Sequence, residues 1–316
     1  MQRKDPRAGI LAIWRAYCCI PSGQVGVRTT WKWFLNVSDL KQLLERLAQA
    51  SAVLVTVDGA RGSVPREVGT WMAVWPQGQV GTIGGGRLEW EALRQCREVL
   101  AIAAGKPRDP WTQVVPLGPS LGQCCGGEMR LRFEPVSAID GPSLAARLAQ
   151  PRWPVALFGG GHVGRAIVQA LGPLPCALHW IDSRDEVFPD PLPPDVLAEH
   201  SDPVQSAVAD LAPGAAVLIM SFSHAEDLDT VQACLQRIRQ ANDLPFVGLI
   251  GSRTKWATFQ RRLKERGHTP AELARITCPI GLPGIEGKEP AVIAASVVAQ
   301  LLLLQPTWAK AANQVA

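Results

Sequence analysis

Val155-Ala156-Leu157-Phe158-Gly159-Gly160-Gly161-His162-Val163-Gly164 is the stretch that decides the fold. Its first four residues are an unbroken apolar run, as a strand buried on both faces requires. The glycines that follow fit G-x-G-x-x-G, and a helical segment runs on through Leu171. The next apolar run, Cys176 to Ile181, ends at Asp182. That is close to the ~20-residue offset at which a dinucleotide-binding fold places an acid for the ribose. Glycines at such a turn let backbone N–H groups and the helix N-terminus face a phosphate or pyrophosphate. Gly159, Gly161, Gly164 and Asp182 are therefore candidate cofactor-binding residues. The alternative is a Rossmann-type shell that has lost its nucleotide, since a fold does not fix a function.

Downstream, apolar runs at Val217 to Met220 and Phe246 to Ile250 alternate with helical segments near Leu228 to Arg239 and Thr254 to Arg266. Alternation of this kind predicts a Rossmann-like domain with a mainly parallel sheet over residues 155–305. The apolar stretch from Ala291 to Leu304 is too short to span a membrane and reads as a buried helix. Residues 306–316 read as a tail. Ser223-His224, ahead of Asp227 and Asp229, falls where a strand should end, on the side where such sheets bind ligands. His224 is a candidate proton carrier or ligand; the plainer reading is a structural hydrogen-bonding group. Gly251-Ser252-Arg253 follows another strand in the same way.

Upstream, Pro135, Pro142, Pro151 and Pro154 mark a break, so residues 137–154 read as a linker. Residues 38–136 form a second region. Ser38 can cap a helix carrying Leu40, Leu43, Leu44 and Leu47, and Val53 to Val57 is a short strand. Asp58 to Gly69 reads as a loop by composition. Trp71 to Trp75 and Gln79 to Ile83 flank Pro76-Gln77-Gly78, a hairpin signal. After Gly84-Gly85-Gly86 comes a helix from about Leu88 to Ala104. Strands near Thr112 to Pro116 and Glu128 to Phe133 complete an N-terminal α+β domain. Residues 1–37 are basic and lack clear periodicity, and read as a poorly ordered extension, upstream sequence from a misassigned start codon being one source of it.

Between those last strands lies Leu121-Gly122-Gln123-Cys124-Cys125-Gly126-Gly127. Adjacent Cα atoms are ~3.8 Å apart, below the usual disulfide span of ~4.4–6.8 Å, so two thiols side by side are the natural state. Paired soft sulfurs suit thiophilic metals and sulfur transfer, which makes Cys124 and Cys125 candidate metal and cofactor ligands. The isolated Cys96, Cys176, Cys234 and Cys278 read as small buried apolar residues. Arg66 can hold an anionic group, with Gly85 and Gly86 giving it close backbone access. Equally, Arg66 is an exposed loop charge and the glycines make a corner.

Composition removes several classes. The chain has 316 residues, 47% apolar and 19% charged, enough for two ordinary domains. A net charge of +4 without basic, aromatic-interleaved runs gives no case for nucleic acid. The eight cysteines show no C-x-x-C and no regular spacing, which points to a reducing, cytoplasmic setting. No zinc pattern, Walker A loop or Ser/His/Asp triad is assembled from spacing. The competing function is an NAD(P)-dependent oxidoreductase, for which only His224 offers acid/base chemistry.

Together these pieces resemble the xanthine dehydrogenase accessory proteins, the XdhC/CoxI family. The matching segments in the first half are Gly62-Ser63-x-Pro65-Arg66-x-x-Gly69, Gly81 to Gly86 with Leu88-Glu89, and Leu121 to Gly127. In the second half they are Phe158 to Gly164, Ile181-Asp182-x-Arg184, Ser223-His224, Gly248 to Arg253, and Pro279 to Leu282 with Pro290. The likeness runs in the family's motif order from Ser51 to Leu304. It departs at Ser223, where the family commonly has Thr, and at Pro283 to Lys288, a slightly longer loop. The resemblance implies an accessory factor rather than an enzyme. Such a factor binds and shields the molybdenum cofactor (molybdopterin), supports its sulfuration by a cysteine desulfurase, and delivers it to a xanthine dehydrogenase-type apoenzyme. It places the cofactor role on Cys124 and Cys125. A dinucleotide is a further candidate ligand, and a homodimer is compatible with this reading.

Overall fold

Strict alternation along one strand builds the first half. In β1 (Ala52–Arg61), Val53, Val55 and Val57 point to one face and Leu54 to the other, and all are buried. A computed structural model describes residues 37–102, 109–117, 126–149, 152–193 and 195–312. β1 is the centre of an antiparallel sheet that also holds β2 (Trp71–Val74), β3 (Gln79–Gly81), β4 (Trp111–Pro116) and β5 (Glu128–Val136), in the order β3-β2-β1-β5-β4. Helix α2 (Gly86–Ile102) covers one face with Leu88, Ala92, Cys96 and Val99. Helices α1 (Val37–Leu47) and α3 (Gly141–Leu148) cover the other, placing Leu40, Leu43, Leu47, Leu144 and Leu148 against Leu54, Ala73 and Trp75.

The segment expected as a linker is therefore part of this core. Pro142 sits in the first turn of α3, where its missing N–H costs nothing. Arg147 on α3 grips Glu134 of β5 through two hydrogen bonds, at 3.1 and 2.8 Å. Trp153 and Pro154 then open the first strand of the second half. Two other boundaries shift. Asp58 to Arg61 belong to β1, because a bulge between Val57 and Gly59 absorbs the irregular residues without ending the strand. The first helix begins at Val37, so Ser38 lies inside it. Residues 1–36 of the expected extension lie outside the described residues.

The second half is a wholly parallel sheet. Its strands are β6 (Trp153–Phe158), β7 (Cys176–Asp182), β8 (Val196–His200), β9 (Ala216–Ile219), β10 (Phe246–Leu249) and β11 (Ile276–Thr277). The order is β11-β10-β9-β6-β7-β8, which numbered from β6 is the 3-2-1-4-5-6 arrangement of a dinucleotide-binding fold. Helices α4 (His162–Leu171) and α8 (Pro290–Ala312) pack on one face, against Val155, Leu157, Leu178 and Trp180. Helices α5 (His224–Ala241) and α6 (Arg253–Glu265) pack on the other, against Phe158, Ile219, Val247 and Leu249. A short helix, α7 (Pro270–Leu273), precedes β11. α8 continues through Ala312, into the stretch expected as a tail. No helix among the described residues is long and apolar enough to cross a membrane.

Candidate functional site

Two glycine turns, one in each half, are each held by a carboxylate. In the first half three motif segments meet at a corner. Gly127 lies so close to the end of β1 that a Cβ there would be 2.3 Å from the Ser63 carbonyl oxygen and 2.7 Å from that of Arg61. Its own carbonyl accepts from the Leu117 amide at 2.7 Å, closing the neck of the loop between β4 and β5. Gly84, at φ +124°, brings the third segment in, with Pro65 and Arg66 packed over it. Glu89, in the first turn of α2, then fixes the corner. It accepts from the amides of Ile83 and Gly85, both at 3.1 Å, from the Thr82 hydroxyl, and from Gln79 at 3.0 Å. Burial pushes the Glu89 carboxyl up, but these hydrogen bonds outweigh it and hold it below the ordinary glutamate value.

The outer side of this corner is open. Arg61 and Arg66 are exposed, and a Cβ on Gly85 or Gly126 would meet nothing within 4 Å. Arg66 also borders a hollow of about 190 Å³ shared with Asp39, Thr70, Trp71 and Thr82. Gly86, at φ +65°, opens α2. Two guanidinium groups and room beside them suit an anionic ligand. The expected thiols, Cys124 and Cys125, lie outside the described residues; Gly126 is the residue directly after them. The four described cysteines are buried or half-buried. Burial pushes Cys96 and Cys234 up to about 12 and Cys176 and Cys278 up to about 11, so none is a ready thiolate.

In the second half the turn sits where β6 and β9 part, the switch point of the sheet. A Cβ on Gly159 would be 2.0 Å from the Met220 carbonyl oxygen, and one on Gly164 would be 2.1 Å from that of Gly159. Asp182 is buried at 1% exposure, and both its oxygens are engaged within the chain. It accepts from the Gly160 amide at 2.5 Å, from the Arg184 amide at 2.9 Å, and from the Arg184 guanidinium at 2.9 and 3.0 Å. Burial raises its pKa, and the Arg184 pair with the two amides more than reverses that, leaving it below the ordinary aspartate value. What Asp182 does here is hold the turn.

The rim beyond is equally tied. The Arg184 guanidinium lies 4.2 Å from the centre of the Phe222 ring. Glu226 accepts from the Ser183 hydroxyl at 3.0 Å and from the Phe222 amide at 3.2 Å. Asp227, also buried, pairs with Lys255 at 2.5 Å and accepts from the Ser221 amide at 2.7 Å, joining the starts of α5 and α6. His224 is exposed at the first position of α5, edge-on to Phe259 of α6 at 6.4 Å.

The structure thus gathers Arg66, Gly85 and Gly86 at one corner, and Gly159, Gly161, Gly164 and Asp182 at one turn, with His224 on a neighbouring helix start. Glu89, Arg184, Phe222 and Lys255 were not among the sequence candidates. An acid in the first turn of a helix after a glycine run is a legible signal for Glu89, and Arg184 stands in the Ile181-Asp182-x-Arg184 segment; nothing in spacing marks Phe222 or Lys255. Among the described residues no group of three or more His, Cys, Asp and Glu side chains gathers to hold a metal ion.

An antiparallel α/β half with an open anion-suited corner, joined to a 3-2-1-4-5-6 parallel half, defines a two-part protein built on a Rossmann-type fold. Residues 155–301 match the family described as the XdhC Rossmann domain, and residues 46–114 match the XdhC and CoxI family. The chain belongs to the XdhC/CoxI family. It is similar to a curated Escherichia coli (strain K12) protein, the uncharacterized protein YqeB, at 30% identity over 247 residues. That match takes in 77% of this chain and 41% of the relative, so the chain spans under half of its length. A solved structure from Bacillus halodurans, described as a xanthine dehydrogenase, shares the fold with a TM-score of 0.65. It is 21% identical, and the match covers 85% of this chain and 96% of that one.

Proposed function

We propose that this chain is an accessory factor for a xanthine dehydrogenase-type enzyme. It binds the molybdenum cofactor as cargo, shields it, supports its sulfuration and delivers it to the apoenzyme. The observation that carries this reading is the meeting of three family motif segments at the first-half corner, where Gly127 is locked onto Arg61 to Ser63 two residues after Cys125. In this reading Arg66 holds the phosphate of the pterin, and Gly85 and Gly86 give it close approach to the backbone. Cys124 and Cys125 supply the soft donors for the metal or its sulfido ligand. Membership of the family supports the accessory role, and the open corner supports an anionic cargo.

The test is equilibrium dialysis of the full chain against molybdopterin cofactor, comparing wild type with Cys124→Ala/Cys125→Ala and with Arg66→Glu. The proposal expects the double variant to lose the metal-bearing cofactor by tenfold or more, about 1.4 kcal/mol. Arg66→Glu should weaken both the metal-bearing and the metal-free pterin. Undiminished binding by the double variant would remove the thiols from the site.

A further inference from the structure

The hollow beside Arg66 is lined by groups that the chain brings together and leaves unused. It draws Asp39 and Leu40 from α1, Leu148 from α3, Trp71 from β2, and Gly81 and Thr82 from the end of β3. Arg66 and Thr70 come from the loop between β1 and β2. Leu40 and Leu148 are buried, so part of the lining is apolar, and Trp71 is half-buried. Among the described residues the Asp39 carboxylate, the Arg66 guanidinium and the Trp71 indole N–H have no hydrogen-bond or ion-pair partner. Two opposite charges thus border one hollow without pairing. Glu89, Asp182 and Asp227 are each tied to partners within the chain, and Asp39 is not. Its place in the first turn of α1 suits the helix dipole, but that needs neither an aromatic wall nor an arginine nearby.

The lining restricts the occupant. An ionised carboxylate only accepts hydrogen bonds, so a group that enters beside Asp39 must donate them. The Trp71 ring suits a flat partner. Arg66, exposed at the border, suits an acid carried on the same ligand. At about 190 Å³ the hollow is smaller than the ~300–1,000 Å³ of a pocket that encloses a drug-sized ligand, so it takes one ring system rather than an entire cofactor. A flat ring with adjacent amino and ring N–H donors, and an acid further along, is the 2-amino-4-oxopyrimidine edge shared by pterins and guanine.

We infer that the hollow reads the amino-bearing edge of the cargo's pterin. Asp39 accepts from the 2-amino group and the neighbouring ring N–H, Trp71 lies against the ring, and Arg66 faces the phosphate. The inference rests on the cargo reading for the identity of the ligand, and makes Asp39 the residue that selects it. Replacing the 2-amino group by oxygen sets an acceptor against a carboxylate, and a site built to receive a donor rejects such an analogue.

Fluorescence titration of the full chain with pterin-6-carboxylate, lumazine-6-carboxylate and GMP tests this. Wild type binds the pterin about tenfold or more tighter than the lumazine, and tighter than GMP. Asp39→Asn weakens the pterin about tenfold and brings the two pteridines within about threefold, because a carboxamide can face either edge. Arg66→Glu weakens both pteridines alike. Cys124→Ala/Cys125→Ala keeps wild-type affinity for the metal-free pterin, so failure here and failure of the thiol proposal are separate results. No binding of the pterin by wild type at millimolar concentration would overturn the inference. So would equal affinity for the two pteridines, or undiminished discrimination in Asp39→Asn. Tighter binding of GMP would assign the hollow to a guanine nucleotide and overturn the pterin as its occupant.

Discussion

Both halves hold a glycine turn with a carboxylate, but Asp182 and Glu89 do so in different surroundings. Asp182 is paired with a guanidinium, shut from solvent, and wedged among strands that leave no room beside Gly159 or Gly164. Glu89 takes its hydrogen bonds from amides, a hydroxyl and a carboxamide, and stands in a corner whose outer side is open. The contrast teaches that a glycine-rich motif is not one kind of evidence. At the switch point most of the glycines serve packing, and only at Gly161 would a Cβ find open space. At the corner Gly127 serves packing, while Gly85 and Gly126 face open space.

The largest effect is expected at the closed edge. Replacing Lys255 by Met leaves Asp227 buried without its cation, a change that typically costs about 3–5 kcal/mol. Urea unfolding should show it, and cofactor binding at the corner of the folded fraction should be unchanged. Gly164→Ala comes next, at about 1–3 kcal/mol, because its Cβ has no space. Gly161→Ala should cost under ~1 kcal/mol, as an N-cap exchange does. Equal losses for the two alanines would erase the distinction drawn between them.

Glu89→Gln should cost about 1–2 kcal/mol by weakening charge-assisted bonds to the corner. Its sign with pH follows from the lowered pKa. The contribution of Glu89 is fully present above the unfolded glutamate value of ~4.3, and is lost as pH falls through the lower folded value. Wild type should therefore lose more stability than Glu89→Gln on acidification below about pH 5. Parallel melting curves for the two proteins across that range would mean the carboxylate does not hold the corner.

The sequence made the second half legible because β6, the turn, α4 and β7 each carry their own local signal: apolar run, glycines, helical spacing, terminal acid. It hid β8 and β11, since a strand at the sheet edge with mixed exposure and a two-residue strand have no pattern to detect. It hid α3 because prolines were read as a break, although Pro142 stands where a helix tolerates one. The glycines of the corner were visible, but their meeting was not. That depends on β5 pairing with β1, which brings Gly127 across from Arg61. The pairing of Arg184 with Asp182 was equally out of sight. Spacing can place an acid at a strand end, but it cannot show that the acid is already satisfied.

The central claim is that the two turns differ in what they leave open: the first-half corner has room for an anionic ligand, and the switch-point turn is closed by its own side chains. The most direct measurement titrates molybdopterin cofactor into one corner variant, Arg66→Glu, and one turn variant, Phe222→Ala, both as full chains. The account predicts that Arg66→Glu loses affinity for the cofactor while Phe222→Ala keeps it. Affinity lost in Phe222→Ala and kept in Arg66→Glu would contradict it.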